Sequence, residues 1–149
     1  MRDDLAKALK EAIKQQDKHR VSTLRLIQAA IQDRDIANRG VGKDPISETE
    51  IAAVLLTMVK QRKESARLYE EGGRLELAQQ EMDEIDIIRG FLPKQLSDAD
   101  MQRLCAQVVH EVGGGGLRDM GRCMNELKAK YPGQMDFGKA SGIVRDLLR

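Results

Sequence analysis

The chain has 149 residues, with 25 Lys/Arg against 24 Asp/Glu for a net charge of +1. It is long enough to bury a core without disulfide or metal staples, and its charge neither demands nor excludes a nucleic-acid partner. One third of the residues are charged, only 3% are aromatic and Trp is absent, which points to a soluble, mainly helical protein. Cys105 and Cys123 are too few for a disulfide framework or a zinc site, and no run approaches the ~20 apolar residues of a membrane span. The expectation is a cytoplasmic protein with no membrane and no metal.

Taken in order, Leu5, Ala8, Leu9, Ala12 and Ile13 fall at helical spacing and predict an amphipathic first helix over about 2–16. Asp3 and Asp4 suit its positive end. A break at Gln16-Asp17-Lys18 leads to a second helix over about 19–37, with Val21, Leu24, Ile27, Ala29, Ala30 and Ile31 inward. Gly, Asn and Pro then cluster between Asn38 and Pro45, which predicts an exposed connector.

Ser47-Glu48-Thr49-Glu50 reads as a capping box opening a third helix. Its inner face runs from Ile51 through Met58 and Val59 to Tyr69, and Gly72-Gly73 permits a left-handed stop. A fourth helix over about 74–91 buries Leu75, Ala78, Met82, Ile85 and Ile88, so the two form an antiparallel hairpin. Stepping along the third helix from Ile51, Leu55 and Met58 lands on Arg62, an arginine beside an apolar stripe. Glu81 and Glu84 are its candidate partners, as a structural ion pair first and an acid-base pair second.

Pro93 ends this pattern, because it lacks an amide hydrogen and pushes Leu92 out of the helical region. Ser97, followed by Asp98 and Asp100, caps a fifth helix over about 98–112. The division is therefore 1–92 and 93–149, with net charges of −1 and +2. Gly113 to Gly116 separate the fifth helix from a sixth over about 117–131, expected to bury Leu117, Met120, Met124 and Leu127. Asp136 caps a seventh.

The fold class read from these patterns is all-α: a four-helix N-terminal domain with a long hairpin, and a small three-helix C-terminal domain. Candidate chemistry is sparse. His19 and His110 stand alone, neither cysteine carries the signature of an activated nucleophile, and no cofactor motif is present. The glycine run reads as a connector before it reads as a phosphate cradle, since no Gly-Lys-Ser/Thr follows it. Arg118, Arg122, Lys128, Lys130, Lys139 and Arg145 are the RNA-binding candidates, and the lack of aromatics near them favours phosphate contact over base stacking.

Leu24-Arg25-Leu26-Ile27-Gln28-Ala29-Ala30-Ile31, Gln61-Arg62-Lys63-Glu64-Ser65-Ala66, Phe91-Leu92-Pro93-Lys94-Gln95-Leu96 and Met120-Gly121 together resemble the YqeY family, in order and over essentially the whole chain. That family is similar to the tail of GatB, a subunit of the glutamine-dependent amidotransferase that corrects misacylated tRNA. The resemblance implies tRNA as a partner through the C-terminal domain, and possible docking on an amidotransferase or synthetase complex. It also carries the label of a carbon-nitrogen ligase with glutamine as amido-N-donor. The residues themselves show no Ser-Ser-Lys amidase arrangement, so the chain reads as non-catalytic alone.

Overall fold

A computed structural model describes all of residues 1–149. Seven α-helices and one 3-10 turn make up the regular structure, with no strand. They divide into two compact units, Met1–Leu92 and Pro93–Arg149.

The first unit contains α1 (Arg2–Lys14), α2 (Lys18–Gly40), α3 (Glu48–Glu71) and α4 (Leu75–Arg89). The ends of α3 follow its sequence closely. Ser47 accepts from the Glu50 amide while the Glu50 side chain takes the Ser47 amide, closing the capping box. At the other end of α3, Gly73 adopts φ 74°. There its amide and that of Arg74 donate to Glu70 O and Tyr69 O, at 3.1 and 2.8 Å. Those crossed bonds satisfy carbonyls that no further helical turn would reach. Gln16 makes the corresponding stop after α1 with φ 58°, an unusual backbone for a residue with a side chain. The second helix runs on to Gly40, into what the sequence marks as a breaker cluster.

The core of this unit gathers Leu5, Leu24, Ile27, Ile51, Leu55, Ile85 and Ile88, all at most 1% exposed. Burying each such side chain contributes about 1.5–3 kcal/mol before entropy is counted. Ile46, from the connector, joins the core, and Phe91 and Leu92 pack against it. Several expected core residues lie outside: Ile13 is 49% exposed, Leu75 67% and Met82 39%, while Ala29 is also exposed. For Leu75 the reason is its place in the first turn of α4, beside the turn that closes the hairpin.

Arg2 and Asp35, far apart in sequence, fasten α1 to α2. Both guanidinium nitrogens reach the carboxylate, at 2.8 and 2.9 Å, and Asp35 also accepts the Ile46 amide at 2.9 Å. These donors, the Arg2 side chain first, hold the Asp35 carboxyl at about 2 against an ordinary 3.8. A carboxyl lowered on folding stabilises the fold above its unfolded pKa, and the benefit is lost as pH falls through the folded one. Asp35→Asn is therefore expected to lower Tm at neutral pH, and its deficit should shrink between 3.8 and about 2. Thermal melts along that titration test this; a deficit independent of pH would contradict it.

The second unit contains α5 (Asp98–Val112), a 3-10 turn (Leu117–Asp119), α6 (Met120–Lys130) and α7 (Phe137–Leu148). All three helices touch one another. Ser97 caps α5 through the Asp100 amide and Asp136 caps α7 through the Gly138 amide. Cys105, Cys123, Leu127, Ala140 and Val144 are fully buried, with Met135 from the α6–α7 loop beside them. The Gln95 side chain donates to Pro93 O and Gly133 O, and the Leu96 amide to Gln134 O, stitching the entry strand of chain onto that loop. Leu117 is 53% exposed rather than buried, because the sixth helix begins only at Met120.

Candidate functional site

Arg62 lies on the seam of the α3–α4 hairpin. Its Nε donates to Glu84 Oε2 at 3.2 Å and its Nη1 to the Met58 carbonyl at 3.3 Å. The two paired side chains are only 14% and 20% exposed. Glu81 stands next to them, and its carboxyl is pushed up by burial first and by the Glu84 charge second, with Arg62 opposing. One cation thus serves two carboxylates in a half-buried seam. The guanidinium is held by acceptors of its own hairpin, the geometry of a pair that fixes helix register.

The six basic candidates of the second unit differ in their engagement. Arg122 donates to Asp119 Oδ1 at 3.2 Å and to the Val112 carbonyl at 2.7 Å, so it clamps the end of α5 to the start of α6. Lys130 bonds Glu111 at 2.7 Å and pairs with Glu126 at 3.5 Å. Lys139 lies 4.0 Å from Asp98. Arg118, Lys128 and Arg145 are exposed, and no ion pair or hydrogen bond holds them.

The glycine run is neither a loose connector nor an empty cradle. Gly113, at φ 72°, closes α5, with its amide on His110 O at 3.1 Å and that of Gly114 on Val109 O at 2.9 Å. A Cβ on Gly114 would sit 2.8 Å from Leu148 Cδ2, so the loop lies close on α7. The Gly115 amide donates to Asp119 Oδ2 at 2.9 Å. That amide, then the charges of Arg122 and Arg118, holds the Asp119 carboxyl below its ordinary value. Asp119 is 8% exposed, and the amide that an incoming phosphate would use already has the chain's own carboxylate.

Both thiols are buried, and burial raises their pKa, so neither is poised as a thiolate. His19 and His110 are exposed on helix surfaces. No group of three His, Cys, Asp or Glu side chains is arranged to hold a metal ion, and no helix is long and apolar enough to cross a membrane.

Sequence reasoning missed Asp119, Glu111 and Asp35, acids whose partners become neighbours only on folding. It also missed an open cleft of about 630 Å³ where α1 meets α2, lined by Ile13, Val21 and Leu26 together with Gln16, Lys18 and Arg25. The signal available was the excess of cations around that bend.

These features define a two-unit, all-helical protein in which most of the singled-out polar side chains hold helices in register. Residues 2–148 match the family described as Yqey-like protein, and the chain belongs to the YqeY family. It is also similar to a protein of Schizosaccharomyces pombe described as "Uncharacterized protein C22F3.15", 29% identical over 94 residues, which span 63% of this chain and 73% of that protein.

Proposed function

We propose that the chain is a cytoplasmic, non-catalytic accessory protein of tRNA metabolism that holds RNA phosphates with its C-terminal unit. The observation that carries this reading is the exposure of Arg118, Lys128 and Arg145 with no hydrogen bond or close ion pair of their own, in a unit whose other candidate cations are engaged. Free cations can release counterions from a nucleic acid, whereas cations already paired gain less on binding. The resemblance of this unit to the GatB tail favours tRNA as the RNA.

Fluorescence anisotropy with labelled total tRNA tests the reading. Three phosphate contacts imply a fall in affinity of roughly 40-fold between about 50 and 200 mM salt. Arg118→Glu, Lys128→Glu and Arg145→Glu together should abolish binding while leaving the fold unchanged by circular dichroism. Arg122 is a poor probe, because its loss also removes the clamp on Val112. Absence of binding at low salt, or undiminished binding by the triple variant, would sink the proposal. Glutamine-dependent ammonia transfer by the purified chain would refute its non-catalytic part.

A further inference from the structure

The first unit carries two exposed surfaces of opposite charge, each with an apolar centre, that the tRNA reading does not use. One is the α1–α2 cleft. Ile13 and Leu26 are 49% and 47% exposed there, and Lys18 and Arg25 line the cleft with no acid among its lining residues. Neither cation is drawn into an ion pair. The surrounding segment, residues 10–25, has five Lys/Arg against two acids.

The other surface is the outer face of α4. Leu75 and Met82, 67% and 39% exposed, are seven residues apart and so share a helix face, with exposed Asp86 one turn on from Met82 and exposed Asp83, which accepts from Gln79 at 2.9 Å, on its flank. Outside the Arg62 seam, α4 exposes the carboxylates Glu76, Asp83 and Asp86, with Arg89 at its far end. An acidic helix with an apolar stripe is the chemistry that a basic apolar cleft receives.

We infer that the α1–α2 cleft docks the α4 face of a second copy of this chain, with Lys18 and Arg25 meeting Asp83 and Asp86 around Ile13, Leu26, Leu75 and Met82. Each copy offers both surfaces, so a two-fold arrangement would make the contact twice. RNA is the poorer occupant, because phosphates gain nothing from Ile13 and Leu26. Apolar side chains left in water on both faces supply the affinity, and the charges set the register.

Sedimentation velocity of the full-length chain, from about 1 to about 500 µM, tests this. The mass should rise with concentration towards twice that of the monomer, and the association should weaken as salt increases. Lys18→Glu with Arg25→Glu should weaken it by at least about tenfold, as should Asp83→Lys with Asp86→Lys. Mixing the two charge-reversed chains should restore pairing, because each groove then faces a complementary helix. Leu26→Ser provides a variant that leaves the charges and α4 untouched, and it too should weaken association. A monomer throughout the range, association unaltered in all these variants, or association lost on nuclease treatment would overturn the inference.

Discussion

Replacing Arg62 with methionine is expected to destabilise the first unit by about 2 kcal/mol at neutral pH. The cost arises because Glu84 loses its charge partner while it and Glu81 remain together in the half-buried seam. Partial exposure keeps the cost below the ~3–5 kcal/mol of a fully buried broken pair. Replacing both Arg62 and Glu84 with methionine should recover part of the loss, since Glu81 then remains without a cation but no longer faces the Glu84 charge. The pH dependence has a defined sign. Glu81 has a folded pKa raised above its ordinary 4.5, so protonation favours the folded state, and that favour fades as pH rises through the raised value. The Arg62→Met deficit should therefore be smaller near pH 5 than near pH 8, where Glu81 has lost its proton. Chemical denaturation at the two pH values measures this, and an equal deficit at both would contradict the assigned role.

Leu127→Ala is expected to have a larger consequence. Leu127 is fully buried at the centre of the three-helix unit, among Cys105, Cys123 and Val144. Removing it should cost about 3 kcal/mol through lost burial and the cavity left behind. A single small core supplies only about 3–5 kcal/mol in total, so this one change consumes most of the unit's margin. Hydrogen exchange should show α5, α6 and α7 losing protection while α1 to α4 keep theirs. RNA binding should disappear with it if the proposed interface lies on this unit. Uniform loss of protection across the chain would show instead that the two units unfold as one.

Both expectations begin with residues that differ in how plainly the sequence announces them. Arg62 is legible because helical stepping from Ile51, Leu55 and Met58 delivers a charge to an apolar stripe, and the glycine turn brings Glu84 back to its level. Leu127 follows from the same periodicity. The caps at Ser47, Ser97 and Asp136 are local chemistry, settled within three residues, and the structure contains all three. Ile46 and Met135 were illegible as core residues because they lie in connectors, where no period marks an inward face.

Leu75 and Leu117 show the converse failure. Periodicity identifies a helix face but not how far a neighbouring helix extends to cover it, so apolar residues near helix ends are assigned to a core they do not reach. The engagement of some basic candidates is hidden from the sequence for a related reason. Counting charges does not reveal that Glu111 approaches Lys130 across 19 residues, or that Val112 offers its carbonyl to Arg122. Charge is a property of composition, whereas availability depends on the partners that folding supplies.

The left-handed stops at Gln16, Gly73 and Gly113, together with the serine and aspartate caps, place the limits of most helices within a few residues of sequence. Within each unit, successive helices then pack on one another, most extensively in the α3–α4 hairpin. Such near-neighbour topology closes short loops before long ones and places helical domains in the microsecond-to-millisecond range of folding. Synthesis adds only about 5–20 residues each second. The first ninety-two residues can thus acquire their structure on the ribosome while the end of the second unit is still being made.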